Sequence, residues 1–310
     1  MKKNFISILM ICISFVYATN EITITSQFNY YTNEKFANIF IEFPDSLSKE
    51  QIISCTISYQ DEILADLHFP QNKTNFIPFQ LQDLPFGANE LSIILKAETE
   101  LISKTITLNK YEHKENAVKI DFSTGGLIVD GLPYFPFGFY CYWPVQPSLA
   151  NEEVVKGFNM MSPYQQINDI TFSERKAYMD RCANLGMKVN YNLCSVAGGG
   201  GAGSAKQKIP DNELEKLLIK EVEAFKDHPA LLSWYISDEP VLQHIPSDYL
   251  EKTYNLIKSI DPYHPISIVF MAHQKAHEYN AAMDISMADP YPLPEGEITR
   301  VGDTAKLLSK

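Results

Sequence analysis

Two nearly continuous apolar runs, LLSWYIS at 231–237 and PISIVFM at 265–271, restrict the fold of the C-terminal part of this chain more than any other feature. Strands that are apolar on both sides are buried on both faces, as in a parallel sheet covered by helices. Between the runs, Leu250, Tyr254 and Ile257 recur at helical spacing within Ser247 to Ile260, so the segment reads strand, helix, strand. The same alternation extends upstream. MKVNYNL at 187–193 alternates like a strand, and a helix with Leu214, Leu217, Leu218, Val222 and Phe225 on one face follows it. Before that strand, Thr171 and Glu174 have capping-box spacing, Tyr178, Met179, Cys182 and Leu185 form a stripe, and Gly186 falls where a left-handed helix terminus is wanted. Strands are expected at about 135–140, 158–162, 187–193, 231–237, 265–271 and 284–288, making about six β/α units.

The first part of the chain has a different rhythm. From Glu21 to about Tyr111 short alternating runs such as ANIFIEF, IISCTISY and NELSIILKA succeed one another, punctuated by Pro44-Asp45, Pro70-Gln71-Asn72 and Phe86-Gly87. Roughly seven strands in about 90 residues predict an antiparallel sandwich of immunoglobulin-like size. The polar stretch Tyr111 to Ala117 is the expected linker, and Asn72-Lys73-Thr74 is a glycosylation sequon in one of the turns. At the N-terminus, Lys2 and Lys3 precede an apolar run from Phe5 to Tyr17, and Val16-Tyr17-Ala18 offers small residues at −3 and −1 of a cleavage point. This is the pattern of a secretory signal. No later segment has the roughly 20 apolar residues of a membrane span.

Lys plus Arg number 26 against 38 Asp plus Glu, a net charge of −12 that repels polyanions, so nucleic acid is not an expected partner. After removal of Cys12 with the signal, Cys55, Cys141, Cys182 and Cys194 are widely spaced, which fits neither a zinc ribbon nor a disulfide framework. Cys141 and Cys194 fall at comparable heights in the architecture, leaving open one bridge or two buried thiols.

In parallel β/α folds, function gathers at the carboxyl ends of the strands. There the chain places Tyr140-Cys141-Tyr142-Trp143-Pro144, then Asn190 and Asn192, then Ser237-Asp238-Glu239-Pro240, and finally Asp289-Pro290-Tyr291-Pro292. A carboxyl at the rim of an apolar barrel is poorly solvated and keeps its proton, whereas adjacent Asp238 stays ionised if donors reach it. Glu239 is therefore the candidate acid. The plainer reading makes Asp238-Glu239-Pro240 the start of a loop.

GLIVDGLPYFPFGFY at 126–140 resembles the V-D-G-x-P-F-F-x-x-G segment before the first barrel strand of many retaining glycoside hydrolases of the large (β/α)8 clan, including family 2. WYISDEP at 234–240 resembles their fourth-strand signature, a Trp-containing apolar run ending in N-E-P or D-E-P. The resemblance spans roughly Lys119 to Leu293. Behind the signal read at 1–18 and the immunoglobulin-like β-sandwich read at 19–112, the resemblance implies at 113–310 a (β/α)8 TIM barrel, incomplete at the C-terminus.

The resemblance also implies a secreted O-glycosyl hydrolase acting on a carbohydrate with retention, without metal or organic cofactor. Glu239 matches the general acid/base, and Asp238 stands where an Asn usually contacts a sugar 2-hydroxyl. Asp for Asn is a departure, since a carboxylate offers no amide hydrogen. Tyr140, Tyr142, Trp143 and Tyr291 suit stacking on a pyranose, and Asn190, Asn192 and Asp289 complete the candidate substrate-binding set. The clan's nucleophile is a Glu ending the seventh strand, for which this chain shows no counterpart; Glu295 and Glu297 are poor substitutes. The alternatives are a non-catalytic carbohydrate-binding surface protein and an inactive fragment.

Other motifs predict less. GGGGAG at 198–203 formally contains G-x-G-x-x-G, but Ser204 to Pro210 intervene before the helix, so a flexible loop over the barrel mouth is expected rather than a dinucleotide site. His273 and His277 have zinc-pair spacing without the Glu of H-E-x-x-H. Glu213, Glu215, Lys216, Lys220, Glu221 and Glu223 read as solvated helix surface.

Overall fold

Alternation in the N-terminal strands separates each into a buried and an outward face. The computed structural model describes residues 22–44, 52–68, 72–97, 101–201, 206–291 and 296–308. The chain divides into two compact units between Tyr111 and Glu112. The segment read as an export signal lies outside the described residues, as does Glu295.

In the first unit, β1 (Thr23–Ser26), β2 (Phe36–Glu42) and β5 (Thr74–Gln80) form one antiparallel sheet in the order β1-β2-β5. The strands β3 (Ile52–Tyr59), β4 (Glu62–His68), β6 (Gly87–Ala97) and β7 (Leu101–Lys110) form a second, ordered β4-β3-β6-β7. Ala37, Ile39, Ile41, Ile77 and Phe79 face Cys55, Ile57, Leu91, Ile93 and Leu95, and together they are the core of a two-sheet sandwich. Burial pushes the Cys55 thiol up to about 12, so it packs as a small apolar group.

The second unit begins with an antiparallel sheet of β8 (Val118–Asp121), β9 (Gly126–Val129) and β10 (Leu132–Tyr134). Asp130 and Gly131, both with positive φ (53° and 75°), make the two-residue turn between β9 and β10. Val118, Ile120, Leu127 and Val129 bury against Leu232, with Met160 and Ile285 alongside. These three residues begin barrel strands, so the small sheet plugs the amino-terminal end of the larger one.

That larger sheet contains β11 (Gly138–Cys141), β12 (Met160–Pro163), β13 (Lys188–Asn192), β14 (Leu231–Asp238), β15 (Ile266–Phe270) and β16 (Ile285–Ala288). All neighbours are parallel and the spatial order is the chain order. The sheet is the curled half of a β/α barrel. Helices α1 (Leu149–Val154), α2 (Phe172–Asn184), α3 (Asp211–Phe225), α4 (Ser247–Ile260) and α5 (Arg300–Leu308), with a 3₁₀ segment at His273–Ala282, connect or follow the strands. Trp234, Ile236, Val189 and Tyr191 pack outward against Leu214, Leu218, Val222, Phe225, Leu250 and Ile257 of the helices. On the inner face, Asn190 Oδ1 accepts from Ser233 Oγ at 2.8 Å and Ser267 Oγ at 3.1 Å, and its carbonyl accepts from Ser162 Oγ at 2.9 Å.

Three local expectations are corrected. Thr171 makes no capping hydrogen bond to α2; its hydroxyl instead donates to Gln166 O at 2.8 Å and accepts from Arg175. Glu221 is not solvated: it is 3% exposed and paired with Arg175, itself 1% exposed, with Nε–Oε1 and Nη2–Oε2 at 2.6 and 2.7 Å. The Tyr191 hydroxyl bonds the same carboxylate. A buried charge without a partner is costly, and α2, α3 and β13 supply the partners together. Finally, Gly198 to Gly200 are buried, for reasons that lie at the strand ends, whereas Gly201 is exposed and Ala202 and Gly203 lie outside the described residues.

Gly186 has φ 70° after α2, as its position demands. Cys141 and Cys194 are both free thiols.

Candidate active site

Glu239 owes its position to the way β14 ends. The register of β14 against β15 slips between Tyr235 and Ser237, and such an irregularity re-aims the side chains that follow. Asp238 then donates its backbone N–H to Gly199 O at 3.1 Å, and Glu239 donates to Val269 O at 2.9 Å. Glu239 has φ 53°. A left-handed backbone on a non-glycine residue costs of order 1–3 kcal/mol and persists where surrounding contacts enforce it. Leu242 and Gln243 both donate to Glu239 O, at 3.1 and 3.2 Å, and hold the turn.

The glycine run forms the wall of this site. Gly198 N donates to Ile236 O at 2.8 Å. A Cβ at Gly200 would lie 2.1 Å from Asp238 O, and one at Gly201 would lie 2.3 Å from Asp238 Oδ2 and 2.2 Å from Tyr164 Cε1. Only glycine allows the backbone so close, and both residues also have positive φ (108° and 67°).

Asp238, 5% exposed, accepts from the Tyr164 hydroxyl at 3.1 Å. Asp289, just beyond β16, accepts from the Tyr291 hydroxyl at 3.2 Å through Oδ2, while its Oδ1 is sealed from water and has no partner. One carboxylate oxygen from each of Asp238, Glu239 and Asp289 lies within 4.8 Å of the other two. Three oxygens at this spacing suit a divalent cation or a shared proton. Among the described residues no lysine, arginine or histidine forms an ion pair with any of the three.

Like charges this close cannot all be ionised freely. Desolvation, the charge of Asp289, the hydrogen bond that joins the two, and the charge of Asp238 together raise Glu239 to about 7. Burial also raises Asp238, with donation from Tyr164 pulling the other way and Asp289 adding to the rise. The donors foreseen for Asp238 are therefore present, but its burial outweighs them.

Aromatic rings line one side. Tyr140 stacks on Tyr164 with centroids 5.5 Å apart and planes at 18°, and Tyr142 stacks on Tyr164 at 6.2 Å and 29°. Tyr140 also meets Tyr235 at 6.1 Å, and burial raises all of Tyr140, Tyr164 and Tyr235 well above the phenol range. They stay neutral and can donate hydrogen bonds.

Of the residues singled out from sequence, Glu239, Asp238, Asp289, Tyr140 and Tyr291 come together. Trp143 does not join them: its ring packs edge-on against Tyr178 at 6.4 Å and lines a cavity of about 310 Å³ with Val145, Ala150, Met161 and Arg181. Asn190 belongs to the serine-bonded layer inside the sheet. Asn192 is fully buried, accepts from Cys194 N at 3.0 Å, and leaves Nδ2 without a partner. Glu297 is exposed. Tyr164 and Tyr235 were missed, although Tyr164 follows β12 directly and so obeys the same strand-end rule.

No family model and no curated protein matches the sequence. Solved structures similar to this one include the GH2 beta-galacturonidase of Eisenbergiella tayi bound to galacturonate (TM-score 0.49, 15% identity, 93% of this chain and 53% of that one). Beta-glucuronidase 3 of Bacteroides uniformis (0.44, 13%, 93% and 37%) and the beta-glucuronidase of Ruminococcus gnavus (0.43, 13%, 93% and 51%) are further examples. The chain thus spans between 37% and 53% of the lengths of these three proteins.

Proposed function

We propose that the second unit is the catalytic scaffold of an O-glycosyl hydrolase that acts on a carbohydrate with retention of configuration, and that Glu239 is its general acid/base. The observation that carries this reading is a carboxyl group raised to about 7 at the end of a parallel barrel strand, beside two further carboxyls and a tyrosine platform. In the first step Glu239 gives its proton to the departing glycosidic oxygen; in the second, as a carboxylate, it takes a proton from the attacking water. An acid of this strength is protonated below neutrality and still able to act as a base above it. The resemblance puts the partner nucleophile on a seventh strand.

Tyr140, Tyr142 and Tyr164 offer flat apolar surface to a sugar ring, and the tyrosine hydroxyls offer donors to its oxygens. Three carboxyls without a paired cation favour a neutral sugar over an anionic one. We read the N-terminal sandwich as an immunoglobulin-like accessory domain, on its seven strands in sheets of three and four, and the Lys2 to Ala18 segment as an export signal.

The test is Glu239→Ala on a series of aryl β- and α-glycosides. An acid/base carboxyl predicts that glycosides with poor leaving groups lose far more rate than activated ones, and that azide restores turnover by forming a glycosyl azide of retained configuration. Equal losses across the series, with no azide product, would remove Glu239 from this role.

A further inference from the structure

We infer that the cavity between the segment after β11 and helix α2 binds a small aromatic monocarboxylate, with its carboxylate on the Arg181 guanidinium and its ring beside Trp143. The site is separate from Glu239, and the inference does not depend on the glycosidase reading.

The cavity follows from how the chain leaves β11. Trp143 and Gln146 each precede a proline, which biases both toward extended backbone, and α1 starts only at Leu149. The stretch from Trp143 to Pro147 therefore forms one wall. The other is a face of α2, where Glu174, Ala177, Tyr178 and Arg181 recur at helical spacing. Buried Met161 and Ala150 complete the lining. The volume of about 310 Å³ lies at the lower end of the roughly 300–1,000 Å³ typical of small-molecule sites.

Apolar walls exclude a ligand that is polar all round, because its groups would lose water without gaining partners. The Tyr178 hydroxyl is already committed to Gln165 Oε1 at 2.7 Å, so this residue offers only its ring. The indole of Trp143 meets that ring edge-on at 6.4 Å and presents a flat surface. A planar apolar body suits such a chamber.

Charge fixes the other end of the ligand. Glu174 and Arg181 stand seven residues apart, roughly 10 Å along the helix axis, and among the described residues the side chain of neither forms a hydrogen bond or ion pair. Their surroundings differ. Glu174 is exposed in the first turn of α2, where water and the helix N–H groups satisfy a carboxylate. Arg181 is half-buried, and none of its five N–H donors has a protein acceptor. A guanidinium keeps its charge and matches the two oxygens of a carboxylate. The Trp143 indole N–H, also without an acceptor among the described residues, is a second donor in the same lining. The plainer account of Arg181 is that a cation in the last turn of α2 complements the helix dipole. That explains its charge, but not the apolar chamber it closes.

The experiment titrates the full chain with 3-phenylpropionate, 3-phenylpropionamide and 3-phenylpropylamine while following tryptophan emission. The chain has two tryptophans. Trp234 is 0% exposed with Nε1 tied to Asp261 Oδ2 at 2.8 Å, so Trp143 is the reporter. The expected result is a saturable change with the acid at a Kd at least about tenfold below that of the amide, with the amine weakest. Arg181→Met removes the charge and keeps a long apolar stem. In this variant the acid should bind no more tightly than the amide, while the amide binds as in wild type, a control that an unfolded protein cannot pass. Ala177→Leu, at an exposed helix position that lines the cavity, should weaken both ligands with far-ultraviolet circular dichroism unchanged. Equal affinity for acid and amide in wild type, an acid preference that survives Arg181→Met, tightest binding of the amine, unchanged binding in Ala177→Leu, or no saturable change with any of the three probes overturns the inference.

Discussion

Two acidic sites in the second unit, the single Glu221 and the cluster of Asp238, Glu239 and Asp289, differ in what faces them. Glu221 meets a guanidinium through two hydrogen bonds, with Arg175 1% exposed, and also a tyrosine hydroxyl, so its charge is neutralised within the packed layer between helices and sheet. Asp238, Glu239 and Asp289 meet one another and tyrosines, with oxygens inside 4.8 Å. The first arrangement secures a carboxylate as structure. The second leaves charge unbalanced, held in place by a strained turn, a glycine wall and parallel strands, and so keeps a proton available near neutrality. The contrast separates an acidic residue that stabilises this fold from those to which we assign a role on a substrate.

The largest effect that tests this contrast is on catalysis. Glu239→Gln should reduce kcat/KM on glycosides with poor leaving groups by about 10²–10⁴-fold, with far-ultraviolet circular dichroism unchanged; steady-state kinetics decide it. The reciprocal experiment is Arg175→Ala, which strands the Glu221 charge and should lower the unfolding free energy by about 3–5 kcal/mol in denaturant titrations. If the two variants exchanged phenotypes, the contrast would collapse.

A smaller effect concerns the substrate. Three unpaired carboxyls should make a neutral hexoside a better substrate than the matching uronide by more than about tenfold in kcat/KM, because like charges brought together are penalised. Preference for the uronide would mean that a cation reaches the site during binding.

The smallest effect is on stability against pH. The Glu239 carboxyl is raised to about 7 from an ordinary 4.5. Between those values the folded state holds a proton that the unfolded state has released, so the contribution of this group is fully present below about 4.5 and is lost as pH rises through 7. Glu239→Gln should therefore match wild type in Tm near pH 4.5 and exceed it above pH 7, a difference that scanning calorimetry at a series of pH values would detect.

Much of this could be read from the chain because burial writes simple periods. The runs at 231–237 and 265–271 are β14 and β15 to within a residue or two, and Ser247 to Ile260 is α4. Glu239 was found by position, since a residue that follows a buried parallel strand faces the mouth of the fold. Glu221 shows what a charge conceals: it lies seven residues after Leu214, on the inward face of α3, yet its partner is on another helix. Thr171 has the right neighbour for a cap, but Arg175 and Gln166 compete for its hydroxyl. Tyr235 is hidden inside an apolar run, where a tyrosine looks like core. The meeting of Asp289 with Glu239 depends on sheet curvature across the intervening β15, which no local pattern encodes. Trp143 illustrates the opposite error, as an aromatic at a strand end whose ring turns to the helix layer.

The central claim is that burial, together with the neighbouring carboxyls, holds a proton on Glu239 near neutrality. Isotope-edited carbon NMR of the glutamate side-chain carboxyls, with the Glu239 resonance assigned through Glu239→Gln, measures this directly. The account predicts a titration midpoint at about 7, moving down in Asp289→Asn; a midpoint in the ordinary carboxylate range, unchanged in that variant, would contradict it.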